Sequence, residues 1–213
     1  MPKDTAIAKL ISGYQRFKSG GMASNQFKKL VTEGQKPKVM VIACADSRVD
    51  PAIVTDCDPG DIFVVRNVAN LVPPYQQDQQ HNGTCAALEF AILGLGVTNI
   101  IVFGHSQCGG IKALMTQSDG QSSFEFINNW MAVAEPAKQE VLAKHPGDSI
   151  DQQAYHCEKT SLLKSLDNLM TFPWVAERVQ SGQLNLHGWY FNFDDSVVEA
   201  YQSDTGQFVA LTN

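Results

Sequence analysis

Three short apolar runs separated by helical patterns constrain this chain more than any other feature of its sequence. The runs are KVMVIA at 38–43, DIFVVRNV at 61–68 and NIIVFG at 99–104. Short, continuously apolar runs of this kind are typical of strands that are buried on both faces. Between and after them, the segments at 82–96 and 109–117 have apolar residues at helical spacing. This alternation predicts an α/β fold, a parallel sheet covered by helices.

The two ends of the chain extend this prediction. Helical patterns near 4–18 and 24–33 have no obvious place in the sheet, so we expect them to extend onto a partner subunit. The runs at 184–193 and 197–202 predict a C-terminal hairpin. We therefore expect one domain with a central, mostly parallel sheet of four to five strands flanked by helices, the last strand antiparallel at an edge. Its predicted parts are an N-terminal helical arm (1–34), an α/β core (35–120) and a helical half with the hairpin (121–213).

Composition excludes several classes of function. The net charge is −6 and there is no basic run, which argues against nucleic-acid binding. No apolar run approaches the roughly 20 residues of a membrane span, and the first residues lack a signal-peptide pattern. We expect a cytoplasmic location, and a mature organellar form would have the same character. The chain has five cysteines, an odd number, and they are widely spread along the sequence. This pattern favours metal or catalytic use over a disulfide framework.

Two motifs follow predicted strands. The first places Cys44, Asp46 and Arg48 at alternate positions, and the second, GHSQCGG, holds His105 and Cys108. The carboxyl ends of parallel strands form the usual ligand edge of an open α/β sheet, so neighbouring strands would bring both motifs together. Two thiolates and an imidazole suit Zn²⁺, and three protein ligands leave the fourth position open, as in catalytic zinc sites. The sequence therefore predicts one zinc ion per chain on Cys44, His105 and Cys108.

Each motif taken alone also has an ordinary structural interpretation. A cysteine at the end of a strand is usually a core residue, and an H-x-x-C pattern recurs by chance. Asp46 and Arg48 lie on one side of an extended segment, where they could form a simple ion pair. Because both motifs occur together at the ends of buried strands, a functional site is the better interpretation.

As a set, these residues resemble the β-class carbonic anhydrases. The resemblance rests on C-x-D-x-R at Cys44–Arg48 and on H-x-x-C at His105–Cys108. It continues through VVRNVANLVPP (64–74), GTCAALEFAI (83–92) and NIIVFGHSQCGGI (99–111), and reaches HCEK (156–159) and GWYFNFDD (188–195). This resemblance implies a zinc lyase that reversibly hydrates CO2 to bicarbonate and a proton, working as a homodimer or homotetramer.

The resemblance also implies roles for the remaining motif residues. Asp46 would accept a hydrogen bond from the zinc-bound hydroxide, while Arg48 keeps Asp46 ionised and away from the metal. In a closed form of the site, Asp46 would instead become the fourth zinc ligand. Residues that would bind substrate, carried over by position, are Gln35, Phe63, Val68, Phe90 and Gly109. Phe90 falls where plant-like members often carry Tyr, and packing in the helix core is its alternative role.

A further comparison concerns inhibition by bicarbonate. Members with a closed, inhibited state use a Trp, an Arg and a Tyr, and the matching positions here are Val41, Arg66 and Phe191. We therefore expect this chain to lack that site and to belong to the open-site subclass. His81 could shuttle protons, although a solvated loop histidine is the commoner case.

Three other functions compete with CO2 hydration. A zinc hydrolase of another small heterocumulene, such as carbon disulfide or carbonyl sulfide, would use the same fold and metal. A non-catalytic zinc module that serves oligomerisation would not need the Asp46–Arg48 pair. A thiol redox enzyme is disfavoured because the chain has no C-x-x-C motif.

Overall fold

A six-stranded sheet organises the chain in the computed structural model, which describes residues 5–19, 25–77, 81–116 and 124–211. The strands are β1 (Val39–Cys44), β2 (Ile62–Asn67), β3 (Asn99–His105), β4 (Asn185–Asn192), β5 (Val197–Gln202) and β6 (Gln207–Ala210). Their order across the sheet is β2-β1-β3-β4-β5-β6. Strands β2, β1, β3 and β4 are parallel, and β5 and β6 add antiparallel pairs.

The mostly parallel α/β sheet is confirmed, but the predicted number of four to five strands is wrong. The strand missing from the prediction is β6, which has only four residues and lies at the sheet edge, where three of them are exposed. Such a short, half-solvated strand leaves almost no hydrophobic pattern in the sequence. The predicted hairpin of β4 and β5 is confirmed, and β4 also pairs in parallel with β3.

Helices cover the sheet in the described ranges. They are α1 (Thr5–Ser19), α2 (Asn25–Glu33), α3 (Pro51–Val54), α4 (Gly83–Glu89), α5 (Gly109–Thr116), α6 (Glu125–Met131), α7 (Glu135–Lys144), α8 (Ile150–Leu169) and α9 (Pro173–Gln180). The helix predicted at 82–96 is divided, because α4 continues as a π-helical segment, Phe90–Leu95. It ends at Gly96, whose positive φ of 68° is the left-handed conformation that glycine adopts readily at a helix terminus.

The core lies on both faces of the sheet, because successive strand side chains point to opposite sides. Val41 and Ala43 of β1 pack on one face, and Met40 and Ile42 on the other. Every residue from Met40 onward in β1 is buried, which explains the continuous apolar run in the sequence. Strand β1 ends at Cys44, at the carboxyl edge of the sheet.

The N-terminal helices contribute little to this core. No residue of α1 is buried, and its apolar side chains Ile7, Leu10, Ile11 and Tyr14 are exposed. Contact of this arm with a partner subunit remains a prediction, as does the division of the domain, whose boundary at 120/121 lies outside the described residues. Among the described helices, none combines the length and apolar character needed to cross a membrane.

Candidate metal centre

The structure brings Cys44, His105 and Cys108 together at the carboxyl edge of the sheet. Strands β1 and β3 are direct neighbours, so the Cys44 and His105 ends of the two strands meet. Cys108 directly follows the turn formed by Ser106 and Gln107 and immediately precedes α5. One Sγ or imidazole nitrogen from each residue lies within 4.8 Å of the others, and all three residues are buried. The predicted cluster of metal ligands is therefore formed by a single chain.

His105 is oriented for metal binding. Its Nδ1 lies 2.8 Å from the carbonyl oxygen of Ser106. A carbonyl only accepts hydrogen bonds, so Nδ1 carries the proton and the lone pair is on Nε2. In the described part of the chain, His105 Nε2 is the one buried side-chain nitrogen or oxygen without a hydrogen-bond partner. A buried acceptor without a partner is costly, and a bound cation removes that cost.

The two thiols also fit a cation. A hydrogen bond from Cys108 lowers the pKa of Cys44, and the same interaction raises the pKa of Cys108. Two adjacent buried thiolates repel each other, which opposes ionisation of both thiols unless a cation lies between them. Two sulfurs and one nitrogen are the donor set of zinc sites, and a divalent ion allows both thiols to ionise. The residues present fit Zn²⁺.

Asp46 faces Arg48 rather than the three ligands. Arg48 Nε donates to Asp46 Oδ1 at 3.0 Å, and an Arg48 terminal nitrogen donates to Asp46 Oδ2 at 2.8 Å. The backbone N–H of Arg48 also donates to Oδ1, at 2.9 Å. These bonds hold the pKa of Asp46 well below its usual range, with the Arg48 side chain as the largest cause. The carboxylate is thus ionised and fixed in direction beside Cys44.

Two contacts that hold Arg48 could not be inferred from its own motif. Arg48 donates to the backbone carbonyl of Gln107 at 3.1 Å. Its guanidinium also lies 4.5 Å from the ring centroid of Phe193, a favourable cation–π distance. Gln107 lies within the GHSQCGG motif and Phe193 within FNFDD. Both segments contribute to the family resemblance, but neither residue had a predicted role. Through their contacts with Arg48, Gln107 and Phe193 connect the Asp46–Arg48 pair to the end of β3 and the end of β4.

Arg66 holds the backbone of the loop that follows Cys44. Its guanidinium donates to the carbonyl oxygens of Cys44 at 2.9 Å, Asp46 at 2.6 Å and Val49 at 3.1 Å. It also pairs with the Asp50 carboxylate at 2.9 Å. Arg66 is therefore committed to shaping this loop in the present conformation. The other two positions of the predicted bicarbonate-inhibition set are Val41 and Phe191. Val41 is buried in β1, and Phe191 lies opposite His105 in β4.

Glu158 is a site residue to which the sequence analysis assigned no role. It is buried on α8, and its Oε1 accepts the backbone N–H of Cys108 at 2.8 Å. Its Oε2 accepts the hydroxyl of Tyr190 at 2.7 Å. Burial raises the pKa of Glu158, which these two donors partly oppose. The only sequence signal for this role of Glu158 was its position, as an acidic residue of the HCEK segment on a helix face whose other residues are buried.

We expect Glu158→Gln to weaken zinc binding about 10- to 100-fold, as loss of groups supporting metal ligands commonly does. A glutamine offers one acceptor and one donor, so either the Cys108 N–H or the Tyr190 hydroxyl loses its acceptor. Competition with a chromophoric chelator measures the zinc affinity. Glu177→Gln, an exposed change on α9, is the matched control. Unchanged zinc affinity in Glu158→Gln would show that this carboxylate does not support the site.

The predicted substrate residues fall into two groups. Val68 and Gly109 lie near the metal ligands: Gly109 directly follows Cys108, and a Cβ on the next residue, Gly110, would approach Val68 Cγ1 to 2.7 Å. Val68 also lines a cleft of about 460 Å³ together with His81 and Trp130. His81 therefore lines a cleft that also contains Val68, a predicted substrate residue. Its role as a proton shuttle stays a prediction, and a solvated loop histidine is the alternative.

Gln35, Phe63 and Phe90 form the second group, which the single chain does not bring to the metal ligands. Phe63 is opposite Met40 in the sheet, four residues before Cys44 and thus about 13 Å away along the strand. The rings of Phe63 and Phe90 are 5.9 Å apart. Gln35 is exposed and precedes β1, at the end of the strand remote from Cys44.

Comparison with known proteins agrees with this site. The profile of the carbonic anhydrase family matches residues 39–198. Beta carbonic anhydrase 5, chloroplastic, from Arabidopsis thaliana is 48% identical over 83% of this chain, and the match spans 58% of that protein. Beta carbonic anhydrase 3 from the same plant is 38% identical over 93% of this chain and 78% of its own length.

A solved structure shows the same fold. The β-carbonic anhydrase CcaA superimposes with a TM-score of 0.91 over 99% of this chain and 94% of that one, at 33% identity. The family profile covers the segment from the first residue of β1 into β5, which includes all three metal ligands and the Asp46–Arg48 pair. The chain therefore belongs to the β-class carbonic anhydrase family.

Proposed function

We propose that this chain catalyses the reversible hydration of CO2, in which CO2 and water give bicarbonate and a proton. The observation that carries the proposal is the buried Cys44–His105–Cys108 cluster beside a carboxylate that Arg48 holds in place. A purely structural zinc site has no need of such a charged pair. The relatives described above are named carbonic anhydrases, which supports the same activity.

The metal ligands define where the reaction takes place. Cys44, His105 and Cys108 would hold Zn²⁺ and leave one coordination position free, as three-ligand zinc sites do. Zinc bound there supplies Lewis-acid activation of a water molecule. The ligands are positioned by the ends of two adjacent strands and by the Glu158 bond to the Cys108 N–H, so little reorganisation is needed.

In this proposal Asp46 selects and orients the water. An ionised carboxylate is only an acceptor, so it can receive an O–H from the attacking water but cannot donate a competing hydrogen bond. The oxygen's remaining lone pair is thereby directed at the carbon of CO2. Arg48 binds both Asp46 oxygens, which keeps the carboxylate ionised and prevents it from rotating toward the metal.

The second group of pocket residues implies a partner copy. Within one chain, Gln35, Phe63 and Phe90 lie away from the metal ligands, yet Phe90 and the nearby Leu93 are each 52% exposed. Exposed large apolar side chains on the π-helical segment, together with the unburied α1, are typical of a surface covered by another subunit. We propose a homodimer or homotetramer in which these three residues complete the CO2 pocket of the neighbouring copy.

Stopped-flow CO2 hydration on zinc-quantified protein tests the proposed activity. We expect hydration well above the buffer rate, proportional to zinc content, and its loss when a chelator removes the metal. Release of sulfide from carbon disulfide or carbonyl sulfide should be negligible in parallel assays. Protein with one zinc per chain but no CO2 hydration would contradict the proposal, and rapid sulfide release would favour the hydrolase instead.

The cellular location follows as a separate proposal. We propose that the protein resides in the cytoplasm. One relative is named chloroplastic, so an organellar location is the alternative outcome. A fluorescent fusion of the full-length protein in its own host distinguishes the two.

A further inference from the structure

A second group of ligating side chains lies outside the catalytic centre, where α7 joins α8. It consists of His145, Asp148 and His156, one atom of each lying within 4.8 Å of the others. His145 is the C-cap residue that follows α7, and its backbone N–H donates to the Val141 carbonyl. Asp148 lies in the connecting turn, and His156 follows in the second turn of α8. We propose that these three residues, the junction triad, bind a second divalent transition-metal ion.

The triad already has most of the required geometry. Asp148 Oδ2 lies 3.3 Å from His145 Nδ1 and 3.5 Å from His156 Nε2. Metal–ligand bonds of about 2.0–2.2 Å allow two donors on one ion to be up to roughly 4.2 Å apart. Both nitrogen–oxygen separations are therefore within that limit. The two imidazole rings are stacked at 3.9 Å with planes 7° apart, so they must tilt before the lone pairs of both nitrogens converge on one ion.

The surrounding structure holds the triad in place. The amide of Gln153 donates to the backbone carbonyl of His145 at 2.9 Å. Ser149 and Gln152 form a reciprocal capping box that fixes the start of α8 directly after Asp148. The ring of Tyr155 packs edge-on against His156 at 5.5 Å. The ligands are thus carried by two helix ends whose relative position is already set.

The electrostatic surroundings permit a cation. The nearest basic residue in sequence, Lys144, is paired with Glu140 at 2.7 Å. Asp148 contributes the negative charge within the triad, and each of the three side chains is about one-third exposed. An ion can therefore enter from solvent and keep water molecules in its open positions. Partial exposure also lowers the cost of desolvating the ion.

The donor set indicates which ions bind. Two imidazole nitrogens and one carboxylate oxygen suit borderline ions such as Zn²⁺, Ni²⁺, Co²⁺ and Cu²⁺, whereas Mg²⁺ and Ca²⁺ require mostly oxygen donors. The junction triad has no thiolate, so it should bind zinc more weakly than the catalytic cluster. A bound ion would link the end of α7 to α8, the helix that also carries Glu158.

Calorimetric titration of Ni²⁺ into the zinc-loaded full chain tests this site. We expect one Ni²⁺ per chain, with the original zinc retained when the dialysed protein is analysed by mass spectrometry. His156→Gln and Asp148→Asn should each weaken Ni²⁺ binding at least about tenfold. Loss of a group that merely hydrogen-bonds to a metal ligand already lowers metal affinity by that factor. His81→Gln, which removes an exposed histidine elsewhere, is the control and should leave Ni²⁺ binding unchanged.

A second measurement avoids variants. In nitrogen-15 spectra of the histidine rings, added Ni²⁺ should broaden the signals of His145 and His156 before those of His81 and His187. No Ni²⁺ binding beyond the resident zinc would overturn the proposal. So would Ni²⁺ binding that His156→Gln and Asp148→Asn leave unchanged, or broadening spread evenly over all histidines.

Discussion

Cys108→Ala is expected to reduce bound zinc from one ion per chain to nearly none and to lower CO2 hydration at least about a thousandfold. The ion supplies several kcal/mol of catalysis, and each 1.36 kcal/mol is a factor of ten in rate. The two remaining protein ligands, Cys44 and His105, cannot hold zinc at the affinity of a three-ligand site. Metal analysis after dialysis and stopped-flow hydration measure the two losses.

The control for this change is Cys57→Ser. Cys57 is a partly exposed thiol that lies outside the cluster. Its replacement should leave zinc content and hydration unchanged, and circular dichroism verifies that both variants fold. Full zinc retention in folded Cys108→Ala protein would show that Cys108 is not a ligand.

Asp46→Asn is expected to retain zinc while lowering kcat by about 10²- to 10³-fold, the range for loss of a preorganised hydrogen-bonding group at the reacting atoms. The asparagine keeps the shape of the side chain, but its NH2 group donates where a carboxylate oxygen accepts. It also leaves the Arg48 guanidinium without its negative partner. The expected pattern is one ion per chain, a reduced kcat and a smaller change in KM.

The matched control is Asp58→Asn, which removes an acidic charge outside the Asp46–Arg48 pair. This variant should hydrate CO2 at the original rate. Loss of zinc in Asp46→Asn would instead identify Asp46 as a metal ligand. An unchanged kcat would remove Asp46 from the proposed mechanism.

The predictions from sequence were most accurate where local pattern and strand order coincide. The Cys44–His105–Cys108 cluster could be anticipated because two buried strands end at these residues and parallel neighbours share a carboxyl edge. The Asp46–Arg48 pair was predicted for an extended segment, but it forms in a turn after β1, where the Arg48 backbone N–H also donates to Asp46 Oδ1. Strand β6 was missed because four half-exposed residues leave no hydrophobic pattern.

The supporting contacts were not accessible to the same reasoning. Glu158 meets the N–H of Cys108, 50 residues away in the chain, and Arg48 meets Phe193 across the end of the sheet. Local periodicity carries no information on which distant side chains approach each other. The separation of Gln35 from Cys44 is a different case, because the strand predicted at 38–43 lies between them.

Sequence alone thus determined the class of fold and the candidate metal ligands, because hydrophobic period and residue chemistry are local properties. Only the tertiary structure decided that Asp46 faces Arg48, that Glu158 supports Cys108, and that Phe63 and Phe90 lie apart from the metal ligands. It also stacked His145 on His156 beside the carboxylate of Asp148. These are consequences of how strands and helices pack, where small rotations of each element decide which polar atoms can meet.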